Sequence, residues 1–307
     1  MPKRRIALLP SVNGYGHIRR LISFGHFLKK TSECVFLLPC QMPVHSMISK
    51  ILSEAGFNSI KICSNYYIEG PFTNLDPHNV CGIDSNLDVI EKFDVIICDT
   101  LLLDSGRLDT QKILFAQFLW RDDQYASPLL DGYSNIFGFE NFTHKALKKL
   151  PNFSFIPLLD YWNLSRFRNN QSSNQIFIAN SGAENIVKLL PPKIINQNFQ
   201  LISGLERFLK FNQKPLAVIC RPGLGAIFEC LSSGIVPILL DNSTGDLASN
   251  FRVCIESNWA VSLLDFIQVS PDNQAAFLYD FYKKITFPKF MQSETFVKEY
   301  LGPAIGY

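Results

Sequence analysis

Short apolar runs alternate with amphipathic stretches along most of the chain, and this alternation restricts the fold more than any other feature. Residues 5–10, 34–38, 59–63, 93–99 and 113–119 are short and rich in Ile, Val, Leu and Phe, the pattern of strands buried on both faces. Between them, residues 16–30 place Ile18, Leu21, Ile22, Phe24, Phe27 and Leu28 at helical spacing, and residues 44–55 form a second helical stretch closed by Gly56. The second half resumes the scheme. Strands are expected at 176–180, 199–203, 216–220 and 236–241, with helices at 183–190, 224–233, 272–286 and 290–300. Strand and helix in alternation build parallel sheets covered by helices. Residues 64–90, with Asn, Asp, Pro and Gly and little periodicity, read as a long loop. Residues 151–175, ending in Arg168-Asn-Asn-Gln-Ser-Ser-Asn-Gln175, read as a linker. The expected organisation is α/β: two doubly wound, Rossmann-like domains, 1–165 and 166–307, with a ligand cleft between them.

Composition narrows the function. At 47% hydrophobic and 18% charged residues, the 307-residue chain can bury large cores; some of its 26 phenylalanines are expected to form an exposed binding patch. A net charge of +2 gives no basic field, so nucleic acid is not an expected partner. No apolar run is long enough to span a bilayer, and a cytoplasmic protein is expected, with peripheral membrane contact open through Lys145–Lys149 beside Phe142 and Leu150. The eight cysteines form no CxxC pair and several sit in apolar runs, which predicts buried free thiols and no metal site.

Two strand-to-helix junctions carry chemistry. The first is Asn13-Gly14-Tyr15-Gly16-His17-Ile18-Arg19-Arg20. Gly14 and Gly16 permit a tight turn, and the free amides of the following helix suit an anionic or strongly polar ligand around Gly14, Tyr15 and Gly16. His17, in the first helical turn, is a candidate general base. Asp99, closing the strand 93–99, is a second; Asp104, Asp122 and Asp123 are weaker ones of the same kind. The alternative for His17 is a capping or packing role, and for Asp99 a turn residue at a strand end. The second junction is Cys220-Arg221-Pro222-Gly223-Leu224-Gly225-Ala226-Ile227-Phe228-Glu229. The amides of Leu224, Gly225 and Ala226 are placed to cradle a phosphate. Glu229, over a turn later, has the paired oxygens that two ribose hydroxyls require. Asp246 and Asn250 lie one helical turn apart, as hydrogen bonding to a sugar needs. The competing readings are a solvated Glu229 and an N-capping Asp246.

The pattern R-P-G-x-G-x-x-x-E-x-L-x-x-G-x-x-P followed by D-x-x-x-N resembles the donor-binding signature of family 28-type glycosyltransferases, which include the enzyme that adds N-acetylglucosamine in peptidoglycan synthesis. The G-x-G-H-x-x-R segment and the strand ending at Asp99 resemble parts of the same superfamily. The resemblance implies a GT-B fold, a nucleotide-diphosphate sugar donor (UDP-sugar foremost), no cofactor and no metal. It implies diphosphate contact at Gly223, Leu224 and Gly225, ribose contact at Glu229, sugar contact at Asp246 and Asn250, and an acceptor-side or catalytic role for His17. The sequence departs from that pattern at Leu247, where relatives carry Gln, and at Arg221, where they carry a small polar residue or His; Arg221 either supplies charge to the leaving diphosphate or pairs at the surface. Some superfamily members with a G-x-G-H-x-x-R loop hydrolyse nucleotide-sugars, and a non-catalytic nucleotide-sugar binder is the third reading.

Overall fold

The computed structural model describes residues 3–11, 15–40, 45–62, 80–82, 87–104, 109–116, 130–143, 145–164, 173–180, 186–195, 199–203, 214–241 and 245–306. The chain forms two compact units: Met1–Pro157 together with Ser293–Tyr307, and Leu158–Gln292. The first crossing therefore falls before the expected boundary at 165. The second domain is not continuous to the C-terminus either, because Ser293 onward packs with the first unit.

The first unit is built on β1 (Arg4–Pro10), β2 (Ser32–Pro39), β3 (Asn58–Ile62), β4 (Val80–Gly82), β5 (Val95–Asp99), β6 (Leu102–Asp104), β7 (Gln111–Phe115), β8 (Asn135–Phe139) and β9 (Phe153–Ile156). Seven of these form one sheet in the order β3-β2-β1-β5-β7-β8-β9, with every neighbouring pair parallel; β4 and β6 pair separately. Helix α1 (Tyr15–Leu28) follows β1 and α2 (His45–Glu54) follows β2. The strand order reverses between β1 and β5, where register places Pro10 beside Asp99. Ligands of doubly wound sheets bind at such a reversal, outside the carboxyl ends of the strands.

The C-terminal segment returns to this unit because its apolar face needs a partner. Phe296 is fully buried and its ring lies 5.1 Å from Phe24, 5.4 Å from Phe115 and 5.6 Å from Phe137, centroid to centroid. Ser23 and Ser293 hydroxyls meet at 3.0 Å, and Gln111 donates to the Ala304 carbonyl at 2.6 Å. Rings of this kind add offset and edge-on contacts to the area they bury. Among the described residues no phenylalanine is exposed: the large apolar side chains that are exposed there are Ile60, Leu189, Leu201, Leu264 and Tyr279.

The second unit carries β10 (Leu158–Asp160), β11 (Ile176–Asn180), β12 (Gln200–Ser203), β13 (Ala217–Cys220), β14 (Val236–Leu239), β15 (Val261–Ser262) and β16 (Phe290–Gln292). Five form a parallel sheet ordered β12-β11-β13-β14-β15, which reverses between β11 and β13. β10 and β16 form a parallel pair, braced by Gln292 donating to Asp160 at 3.0 Å.

Several elements differ from expectation. The linker read at 151–175 contains β9 and β10; β9 alternates in burial as an edge strand does. β8 was not expected at all. Residues 290–292 are strand, and the helix begins only at Ser293, passing into a π-helical stretch at Val297–Leu301. Of the helix expected at 183–190, the described part is a 3₁₀ turn, Ile186–Leu189. Within 64–90 the described elements are β4 and a short helix, Leu87–Ile90. Lys145–Lys149 is a 3₁₀ turn whose Leu147 is buried with Phe142, leaving Lys148 and Lys149 exposed. Tyr161 packs on Phe228, 6.1 Å between centroids, inside the second unit. Among the described residues six cysteines are free, five of them buried, and burial pushes the Cys34 thiol up to about 12. Among the described residues no helix is long and apolar enough to cross a membrane.

Candidate active site

The reversal of the first sheet gathers side chains from three directions. α1 starts directly above β1, so His17 lies in its first turn and Arg20 one turn on, on the same helical face. β5 ends on Asp99, next to β1 in the sheet. His17 Nδ1 lies 2.9 Å from Asp99 Oδ1. Arg20 grips the same carboxylate with two prongs, Nε to Oδ2 at 2.5 Å and Nη2 to Oδ1 at 2.8 Å. Thr100 donates its hydroxyl to Oδ1 at 3.0 Å. Thr100 holds a left-handed backbone, φ 63°, uncommon for a β-branched residue, and its amide donates to the Phe115 carbonyl at 2.9 Å.

Burial and charge divide the roles. The Asp99 side chain is 0% exposed and Arg20 2%, whereas His17 retains 19%. Burial by itself pushes the Asp99 carboxyl up; the charges of Arg20 and His17, with the hydrogen bonds both make, outweigh it and hold Asp99 below the ordinary carboxylate value. An ionised carboxylate only accepts, so Nδ1 of a neutral His17 carries the proton and Nε2 is left with the basic lone pair. The two residues expected as alternative bases are thus in contact and unequal. Asp99, enclosed and supplied with donors on both oxygens, is poorly suited to remove a substrate proton. His17, ordered by it and partly exposed, is well suited. Gly16 is in the first turn of α1. Gly14, Asp122, Asp123 and the side chains of Tyr15 and Asp104 lie outside the described residues. Sequence reasoning gave Arg20 no part beyond its place in the motif; its three-residue spacing from His17 was the available signal.

The second unit presents backbone at its reversal. β13 runs into Arg221-Pro222-Gly223, and the helix Leu224–Ser232 begins with Gly223 as N-cap, φ −78° and ψ 134°, without a side-chain cap. The amides of Leu224, Gly225 and Ala226 have no carbonyl acceptor within their own helix. A Cβ placed on Gly223 would meet nothing within 4 Å, so open space lies in front of the turn. Asn250, on the following helix Gly245–Glu256, is 3% exposed and donates from Nδ2 to the Pro222 carbonyl at 2.8 Å; its Oδ1 is buried without a hydrogen-bond partner among the described residues. Asn250 therefore ties the turn in place. Glu229 is buried, 3% exposed. It is not on a solvated face, and a ribose contact requires it to reach the surface. Arg221 is half-buried, and the Asp246 side chain lies outside the described residues.

Solved structures share this architecture over essentially the whole chain. The fold is GT-B. LpCGTa in complex with UDP superposes with a TM-score of 0.57 at 11% identity, covering 100% of both chains. CalG4, the calicheamicin glycosyltransferase, gives 0.57 at 11% identity, covering 100% of this chain and 99% of its own. The spinosyn rhamnosyltransferase SpnG complexed with thymidine diphosphate gives 0.57 at 12% identity, covering 96% and 99%. No protein-family model matches the chain, and no curated protein matches it by sequence. At such identities the likeness concerns the fold; the chemistry has to be argued from the residues.

Proposed function

We propose that this protein is a glycosyltransferase that moves a sugar from a nucleotide-diphosphate donor, a UDP-sugar foremost, to an acceptor hydroxyl. The observation that carries the reading is the His17–Asp99 contact at the reversal of the first sheet. It gives an imidazole with a fixed tautomer, partly exposed, in the first turn of a helix. Nε2 of His17 takes the acceptor's proton as the oxygen attacks the anomeric carbon, which inverts that centre. In the second unit the amides of Leu224, Gly225 and Ala226 and the positive end of their helix stabilise the charge that develops on the departing diphosphate. This assigns to the backbone the work that a metal ion does in other transferases, and calls for no organic cofactor. Asp246 contacts the donor sugar, and Glu229 contacts ribose once its buried side chain turns outward. That LpCGTa was solved with UDP and SpnG with thymidine diphosphate supports a nucleoside-diphosphate donor, and the narrower family 28-like character rests on the R-P-G-x-G pattern alone.

The test is a panel of nucleotide-diphosphate sugars offered to the purified protein with and without candidate acceptor alcohols, following thermal stabilisation and nucleotide release. A donor that stabilises the protein and is consumed only with acceptor supports transfer. Rapid release without acceptor, dependent on His17, assigns water as the acceptor and makes the protein a nucleotide-sugar hydrolase. Absence of stabilisation by every donor sinks the proposal.

A further inference from the structure

The role of Arg20 can be taken further, on the reading of His17 as the base. Arg20 is almost fully enclosed. Its guanidinium lies over two rings, 5.9 Å from the Phe115 centroid and 5.5 Å from Phe139, so its fork has a fixed plane. Two bonds from one planar fork fix a carboxylate in rotation as well as position. One prong occupies Oδ2, and the other shares Oδ1 with His17 and with the Thr100 hydroxyl. Thr100 approaches from the strand side in a left-handed conformation, a strain of the kind that collects where geometry matters to function.

We propose that Arg20 is a positioning residue for His17: its two-pronged grip turns Asp99 into a fixed acceptor for the Nδ1 proton, so that Nε2 is left as the basic nitrogen of the imidazole. Among the described residues the charged groups acting on Asp99 are Arg20 and His17, both from α1. The adjoining strands set Pro10 and Phe115 beside it. The other charges on those strands are engaged elsewhere: Arg4 with the Ile305 carbonyl, Arg5 with Glu33, Asp94 and the Lys92 carbonyl, and Lys112 over the Tyr133 ring. Without the guanidinium, burial would govern the carboxyl, which would hold a proton to higher pH and meet His17 as an acid. The imidazole would then lose its fixed tautomer.

Arg20→Met and Arg20→Lys test this, with nucleotide release under saturating donor and acceptor alcohol measured across pH and the imidazole of ¹⁵N-labelled His17 followed by NMR. Arg20→Met is expected to lower kcat at neutral pH by about 10²-fold, the scale of a misplaced reacting group, to move the acid limb of the kcat profile to higher pH, and to leave the donor KM unchanged. The His17 spectrum should change from one Nδ1-protonated form to a mixture of tautomers. Arg20→Lys restores charge without the fork, so the acid limb should return towards wild type while kcat recovers only in part. A Met variant with wild-type kcat, pH profile and tautomer overturns the proposal; should that variant fail to fold, a Lys variant indistinguishable from wild type in all three readouts overturns it equally. A wild-type protein that turns over no donor would remove the transferase reading, and the tautomer measurement would still decide whether Arg20 sets the Asp99–His17 contact.

Discussion

The two sheet reversals of this protein are equivalent in topology and opposite in material. At the first, β1 and β5 gather a histidine, an aspartate, an arginine and a threonine into one hydrogen-bonded cluster, buried except at the histidine. At the second, β13 offers a turn whose working groups are backbone amides, a glycine with open space before it and an asparagine fastening it from behind. Side chains suit proton transfer, which needs a titratable group of set tautomer. Amides suit an anion, since they carry a fixed partial charge and need no counter-ion. The difference teaches that the two sites place different demands on sequence: one needs particular residues brought together from afar, the other needs a local backbone shape.

The contrast is broken most severely at His17. His17→Ala should lower turnover by about 10³-fold, the usual weight of a general base, while donor-induced thermal stabilisation stays at the wild-type level; loss of donor binding instead would place His17 on the donor. Next in size is Asp99→Asn, which leaves the buried Arg20 charge unpaired and should cost about 3–5 kcal/mol in urea unfolding. Its pH dependence has a definite sign. Asp99 lies below its ordinary value in the folded protein, so its contribution is complete above the unfolded value of about 3.9 and is lost as pH falls below that towards the folded value. Wild-type stability should therefore decline on acidification below about pH 4 more steeply than that of Asp99→Asn, and parallel curves would refute the ion pair's part in it.

The backbone site predicts smaller effects. Asn250→Ala strands the Pro222 carbonyl and should cost about 1–3 kcal/mol of stability, with donor binding weakened because the turn loses its tether; unchanged donor affinity would show that the turn holds its shape alone. Gly223→Ala sharpens the comparison most finely. Its φ of −78° suits alanine and its Cβ meets no protein atom, so unfolding should change by no more than about 1 kcal/mol. Donor affinity should still fall about tenfold, because the methyl occupies the space in front of the amides. An unaffected donor Kd would mean that the diphosphate sits elsewhere.

Legibility from the sequence followed the same division. The parallel sheets were readable because strands buried on both faces are continuous apolar runs, as at Ile6–Leu9 and Val95–Cys98. β8 and β9 were missed because Asn135-Ile-Phe-Gly-Phe139 and Phe153-Ser-Phe-Ile156 interrupt such runs with small or polar residues: Gly138 in a buried strand where Thr143 packs against it, and Ser154 in the edge strand. The turn at Gly223 was legible as a strand-to-helix junction from its Pro and Gly residues, although the bond from Asn250 to Pro222 was not. His17 and Asp99 were both named, but as rivals: 82 residues separate them, and only the β1–β5 pairing makes them partners. The return of the C-terminal segment was hidden for a similar reason. The spacing of Phe296, Val297 and Leu301 gives a helix with an apolar face and says nothing of which sheet receives it.

That return sets an order for biosynthesis. Phe296 completes the ring cluster of the first unit with Phe24, Phe115 and Phe137, yet every strand of the second unit is synthesised before it. The unit begun first is thus finished last: its aromatic core waits, one member short, while the whole intervening unit emerges. Ribosome-bound chains ending near residue 290 should expose that unfinished core and offer a chaperone apolar surface to cover.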